Sequence, residues 1–160
     1  MFKSICGGFL FMLWLTIGVA HSQSTKQEHP AASYGVMVAF MGITIATFET
    51  CISDNRQTND IKRSLVDEFS KWKLRHSYAD QIRNRMNERA VERHGPVTAK
   101  ENLAALLSML DEHTKGKREE VFKNPSICPK FLVQVARKEN DFHVIYRADY
   151  IVLTNQLKRN

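Results

Sequence analysis

The spacing of apolar positions changes along the chain, and each change predicts an element. From Ala31 to Cys51 (AASYGVMVAFMGITIATFETC) only Glu49 is charged. Tyr34, Val36, Val38 and Phe40 alternate with Met37, Ala39, Met41 and Ile43, and Ile43, Thr44, Ile45 and Thr47 add β-branched side chains that suit a pleated surface. A strand apolar on both faces must be covered on both sides, so the pattern predicts a buried strand at the centre of a sheet. The alternative is a helix. Residues 31–48 are uncharged, which approaches the ~20 residues a membrane span requires.

Ser53 to Thr58 is a polar turn, after which the period becomes helical. Ile61, Leu65, Phe69 and Trp72 recur at spacings of four, four and three, with Thr58 or Asn59 placed to cap and Asp60 in the first turn. The stripe thins at Arg75-His76. Ser77-x-x-Asp80 can restart a helix carrying Ala79, Ile82, Met86 and Ala90, and a single helix over 59–94 with a weak middle is equally allowed. Gly95-Pro96 predicts a stop. Thr98-x-x-Glu101 then opens a shorter helix through Leu103, Leu106, Leu107 and Leu110, ending near His113 to Gly116, and Lys117–Phe122 can add a turn. Asn124 to Pro129 predicts a proline-bracketed loop presenting Cys128.

Alternation returns at the end. Phe131, Val133 and Val135 interleave with Leu132, Gln134 and Ala136. Phe142, Val144, Tyr146, Ala148, Tyr150 and Val152 interleave with His143, Ile145, Arg147, Asp149, Ile151 and Leu153. Glu139-Asn140-Asp141 lies between the two arms, and Asn and Asp tolerate the positive φ of tight turns, so the pattern predicts a β-hairpin.

Strand, helices, then hairpin predicts an α+β domain over 31–157. A small antiparallel sheet, made of the N-terminal strand plus the C-terminal hairpin, packs against two or three helices. In general shape this order resembles cystatin-like and NTF2-like folds, a likeness that implies protease inhibition or the binding of an apolar ligand inside a cone. Gln134-Val135 is similar to part of a cystatin inhibitory loop, although it stands inside the expected strand and no glycine follows it.

Composition adds a compartment. Lys3, the uncharged run Ile5–Ala20 and the small residues Ala20 and Ser22 predict a signal peptide over 1–22 cleaved before Gln23. Residues 23–30 then form a flexible mature N-terminus, and 158–160 a basic tail. Cleavage removes Lys3 and no acid, lowering the net charge from +6 to +5. It also removes Cys6, leaving Cys51 and Cys128 with one intramolecular pairing available. Secretion is therefore expected, with membrane localisation under the span alternative.

Candidate chemistry is sparse. The six histidines never pair at i, i+3 or i+4, no GxSxG or glycine-rich phosphate loop is present, and no catalytic residue, metal site or cofactor is expected. The strongest bias is basic. Between Arg56 and His94 ten Lys or Arg face six acids, and Lys62, Arg63, Lys71, Lys73, Arg83, Arg85 and Arg89 are the candidates for an anionic partner. The resulting expectation is a small secreted, non-enzymatic protein with one disulfide that binds an unknown protein or a small apolar ligand. The alternatives are a membrane-anchored protein with a basic helical interaction domain, and a small secreted hydrolase or protease inhibitor.

Overall fold

A computed structural model describes residues 29–158; the expected signal peptide, most of the mature N-terminus and residues 159–160 lie outside them. Six helices follow in order: α1 (Pro30–Ser53), α2 (Asn59–Arg75), α3 (Tyr78–Lys123), α4 (Ile127–Ala136), α5 (Phe142–Ile145) and α6 (Arg147–Leu157). Among the described residues there is no strand. The α+β expectation is overturned, and the likeness to cystatin-like and NTF2-like sheets falls with it.

The first expected strand is α1. Pro30 occupies its first turn, where a missing N–H costs nothing. Tyr34, Met37, Phe40, Thr44, Phe48 and Cys51 are buried, at spacings of three or four that trace one face of a helix. Its threonines are accommodated within the helix, Thr47 and Thr50 donating their hydroxyls to the carbonyls of Ile43 and Ala46 at 2.8 and 2.7 Å. Helices α2, α3, α5 and α6 all pack against α1. Two of its rings, two turns apart, seat the aromatic core. Phe48 stacks on Phe69 at 4.5 Å and meets Phe131 edge-on at 4.8 Å. Phe40 lies 5.5 Å from Phe142 and 6.4 Å from Trp72.

The turn after α1 is held by Asp54. Its carboxylate accepts the Arg56 backbone N–H and Nε–H at 3.0 and 2.8 Å, and these bonds hold the Asp54 pKa down at about 2. Helix α2 then begins where the capping pattern places it, with Thr58 Oγ1 accepting the Ile61 N–H. Leu65 and Trp72 are buried, and Ile61 and Phe69 pack against the core. The chain breaks at His76-Ser77, so residues 59–94 form two helices rather than one.

Gly95-Pro96 interrupts the helix, as the sequence predicts, and α3 is two helical arms joined at a kink. Gly95 takes φ 77° and ψ 163°, a region essentially reserved for glycine. Pro96 then opens a second arm of α3 that runs through Gly116 to Lys123, well beyond the expected end. Where this arm crosses α1, a Cβ at Gly42 would overlap the Leu110 side chain, so glycine permits the close approach.

The expected hairpin is also helical. Cys128, Phe131 and Val135 are buried at helical spacing in α4, whereas Val133 is 47% exposed. The expected loop around Cys128 is thus the first turn of α4, and Cys128 is bonded to Cys51 across 77 positions of sequence. Helix α4 ends in a Schellman turn: Glu139 N–H reaches the Gln134 carbonyl, Lys138 N–H reaches that of Val135, and Lys138 has φ 61°. In the second arm Phe142 and Leu153 are buried with Tyr146 and Tyr150 between them, while Val144 is 54% exposed. That is the period of α5 and α6, not of a strand.

Candidate functional site

The seven basic candidates divide between α2 and the first arm of α3, and most meet acids on their own helix. Arg63 faces Asp60, Lys71 faces Asp67 and Glu68, Arg83 faces Asp80 and Arg85 faces Glu88, at 2.7–3.7 Å. Lys73 lies over the Phe69 ring, 4.6 Å from its centroid, and Lys62 is half-buried. Exposed i,i+3 and i,i+4 pairs of this kind describe a solvated helix face. Arg89 is different. Its guanidinium bonds the buried Gln156 side chain of α6, and Arg89 lines a cleft.

The cleft has a volume of about 880 Å³, within the ~300–1,000 Å³ of small-molecule pockets. The bend at Gly95 shapes it, because both arms of α3 contribute walls. Met86, Asn87, Arg89, Ala90, Arg93 and His94 come from the first arm, and Ala99, Asn102, Leu103 and Leu106 from the second. The start of α1 closes one side with Pro30, Ala31 and Tyr34, next to His29, and α6 closes another with Val152, Asn155 and Gln156. The apolar contribution comes from Tyr34, Met86, Ala90, Leu103, Leu106 and Val152. Burial pushes the Tyr34 hydroxyl pKa up, while the charge of Arg83 opposes the shift, so this wall presents a neutral phenol.

The polar contribution has one sign. Arg89, Arg93, His29 and His94 line the cleft, with the amides of Asn87, Asn102, Asn155 and Gln156, and no described lining residue is a carboxylate. Sequence reasoning singled out Arg89 but left Arg93 and both histidines unassigned. Arg89 and Arg93 are adjacent on one helix face at i,i+4, a signal the sequence contained. Their meeting with α6 and the start of α1 depends on the α3 bend and was not visible.

A second polar site is buried and structural. Arg75 Nε and Nη2 donate to the two Asp141 oxygens at 2.8 and 3.1 Å. Trp72 Nε1 donates to the Asn140 carbonyl at 3.2 Å. His76 Nε2 accepts the Phe142 N–H at 3.0 Å, which leaves the ring proton on Nδ1, donating to the Trp72 carbonyl at 2.8 Å. Together these bonds dock the 137–141 turn onto the end of α2. The bonds described here all run between residues of the chain itself, and the cluster's place in the structure is to join α2 to the segment before α5. The Tyr78 hydroxyl nearby is buried without a hydrogen-bond partner among the described residues, and burial raises its pKa, with Tyr150 and Asp141 adding to the shift.

A smaller cavity of about 400 Å³ lies between α1, α4 and the end of α3, and its Lys117 is paired with Glu120 at 3.0 Å. Among the described residues no three His, Cys, Asp or Glu side chains are grouped to hold a metal ion. Compared with known proteins, the chain matches no family model, no curated protein and no solved structure.

Proposed function

We propose that the protein is an exported, non-enzymatic binding protein and that the cleft at the α3 bend takes a small apolar ligand. The cleft carries this reading: a concavity of about 880 Å³ in so small a chain, walled by Tyr34, Met86, Leu103, Leu106 and Val152. Export is supported by the Cys51–Cys128 bond, a linkage that persists in oxidising compartments. A neutral fluorophore that brightens in apolar surroundings, N-phenyl-1-naphthylamine, tests the ligand site. Binding at one saturable site is expected, with loss on Ala90→Trp, which fills the cleft. No saturable binding, or binding indifferent to Ala90→Trp, would defeat the reading.

A second reading has its own observation. Helix α1 is long and apolar enough to cross a membrane, and only 39% of its most apolar 18-residue window is buried against the other helices. In that reading α1 anchors the chain and the remaining helices form an interaction domain. Expression of the full chain in cultured animal cells separates the two. Export predicts protein in the medium beginning at Gln23, with Cys51 and Cys128 protected from alkylation until reduction. Anchoring predicts carbonate-resistant protein in the membrane pellet.

A further inference from the structure

We infer that the cleft selects an amphipathic anion: a single acyl chain along its apolar side chains, with the acidic head between Arg89 and Arg93. The inference rests on reading the cleft as a ligand site and adds the chemical class of the ligand. Three observations carry it.

The first is the charge pattern. Among the described residues seven arginines, at 56, 63, 75, 83, 85, 118 and 137, have carboxylate partners within 4 Å. Of the three that lack one, Arg89, Arg93 and Arg147, two line the cleft. Among the described residues Lys62, Lys73, Lys100, Lys115, Lys130 and Lys138 lack a carboxylate partner as well, but among the described arginines the guanidiniums without one fall mainly at the cleft. The second is position. Arg89 and Arg93 are one turn apart on the first arm of α3, so both guanidiniums can approach one anionic group. Arg89 is half-buried and held by the Gln156 amide, a neutral partner that orients it without cancelling its charge. The third is that apolar side chains share the cleft with the two arginines, with the amides of Asn102, Asn155 and Gln156 standing among them. Leu103 and Leu106 come from the opposite arm of the bend, and Val152 from α6. An acyl chain buried against them leaves its head for the arginines. A neutral ligand would gain nothing from those charges, and a fully polar anion would waste the apolar contacts.

Displacement of N-phenyl-1-naphthylamine from the full-length exported protein tests the inference against three competitors of equal chain length. These are palmitate, hexadecyl phosphate and hexadecanol. Charge-assisted bonds to arginine should make one or both anions about ten- to a hundred-fold better competitors than the alcohol. Which anion leads identifies a carboxylate or a phosphate head. Arg93→Gln, at an exposed position with no partner to lose, should shrink the ratio without changing the unfolding temperature, and Arg89→Gln with Arg93→Gln should abolish it. Added salt should weaken the anions and leave the alcohol unchanged. Equal competition by hexadecanol, or an anion preference that survives the double variant, overturns the anionic assignment and leaves the apolar cleft standing. If the probe never binds, or no competitor displaces it, the cleft itself is not the ligand site and both readings fall.

Discussion

Arg75 and Asp141 form the most deeply buried ion pair in the described structure, and the two ends are unequally buried. The Asp141 side chain is fully enclosed, whereas that of Arg75 is 21% exposed. Removing one partner of a buried pair costs about 3–5 kcal/mol, chiefly through the charge left behind. The cost must therefore depend on which end is removed. Arg75→Met strands a carboxylate that has no route to water, and a loss of about 4 kcal/mol is expected. Asp141→Asn strands a guanidinium that keeps its 3.3 Å bond to the Val135 carbonyl, regains an amide acceptor and reaches solvent with one edge. Its loss should be about 1–3 kcal/mol, the range for one imperfectly satisfied buried group.

Replacing both residues, Arg75→Met with Asp141→Leu, removes both charges together. That variant should be more stable than the sum of the two single losses by about 2 kcal/mol or more. Urea unfolding at neutral pH with the disulfide intact measures all three, provided the slopes match so that midpoints convert to free energies. Equal losses from the two single variants, or an additive double variant, would refute the reasoning. Either result would mean that solvent reaches Asp141 as easily as Arg75.

Protonation of His76 should weaken the fold at acid pH. Burial pushes its pKa below the ordinary value of 6.5; the hydrogen bond to the Trp72 carbonyl and the charge of Asp141 pull the other way, and Arg75 and His143 lower it further. The unfolded chain therefore binds this proton first, so stability should hold above about pH 6.5 and fall as the pH drops below it. Urea midpoints compared between pH 7.5 and pH 5 check this, and His76→Gln should flatten the slope over that interval; an unchanged slope would free His76 of the role. Lys138 offers a change in the opposite direction. It holds the positive-φ position that closes α4 and makes no side-chain bond there, so Lys138→Gly should raise stability by about 0.5–1 kcal/mol, read as an increase in the thermal midpoint.

The alternating blocks misled because i and i+4 belong to both periods. Phe131 and Val135, or Phe142, Tyr146 and Tyr150, lie on one face of a strand and on one face of a helix alike. The discriminating positions are those at i+2, and all were apolar: Val133 and Val144 look inward in a strand yet stand half out in solvent in the helices. Helix α2 was legible because Ile61, Leu65, Phe69 and Trp72 are separated by charges that no strand face would bury. The α3 break at Gly95-Pro96 was legible as a position but not as a bend, since whether the chain leaves or continues depends on what the next arm packs against. Arg89 could be named from composition. Its cleft could not, because the walls come from segments more than 100 residues apart, from Pro30 to Gln156.

In the first block, length outweighs alternation. Twenty-one residues extended at ~3.3 Å each would run about 70 Å, whereas a domain of this size has a radius of gyration of about 14 Å. A straight strand of that length cannot lie inside it. Wound as a helix at 1.5 Å per residue, Ala31 to Cys51 spans about 30 Å, which suits an element crossing the domain once. That length also separates the two features argued to matter. Ala31 and Tyr34 face the cleft at one end of α1, and Cys51 ties α4 to the other. Reduction of the disulfide should therefore lower the urea midpoint while leaving the affinity for N-phenyl-1-naphthylamine unchanged in the absence of urea, where the protein stays folded; an equal loss of affinity on reduction would refute this.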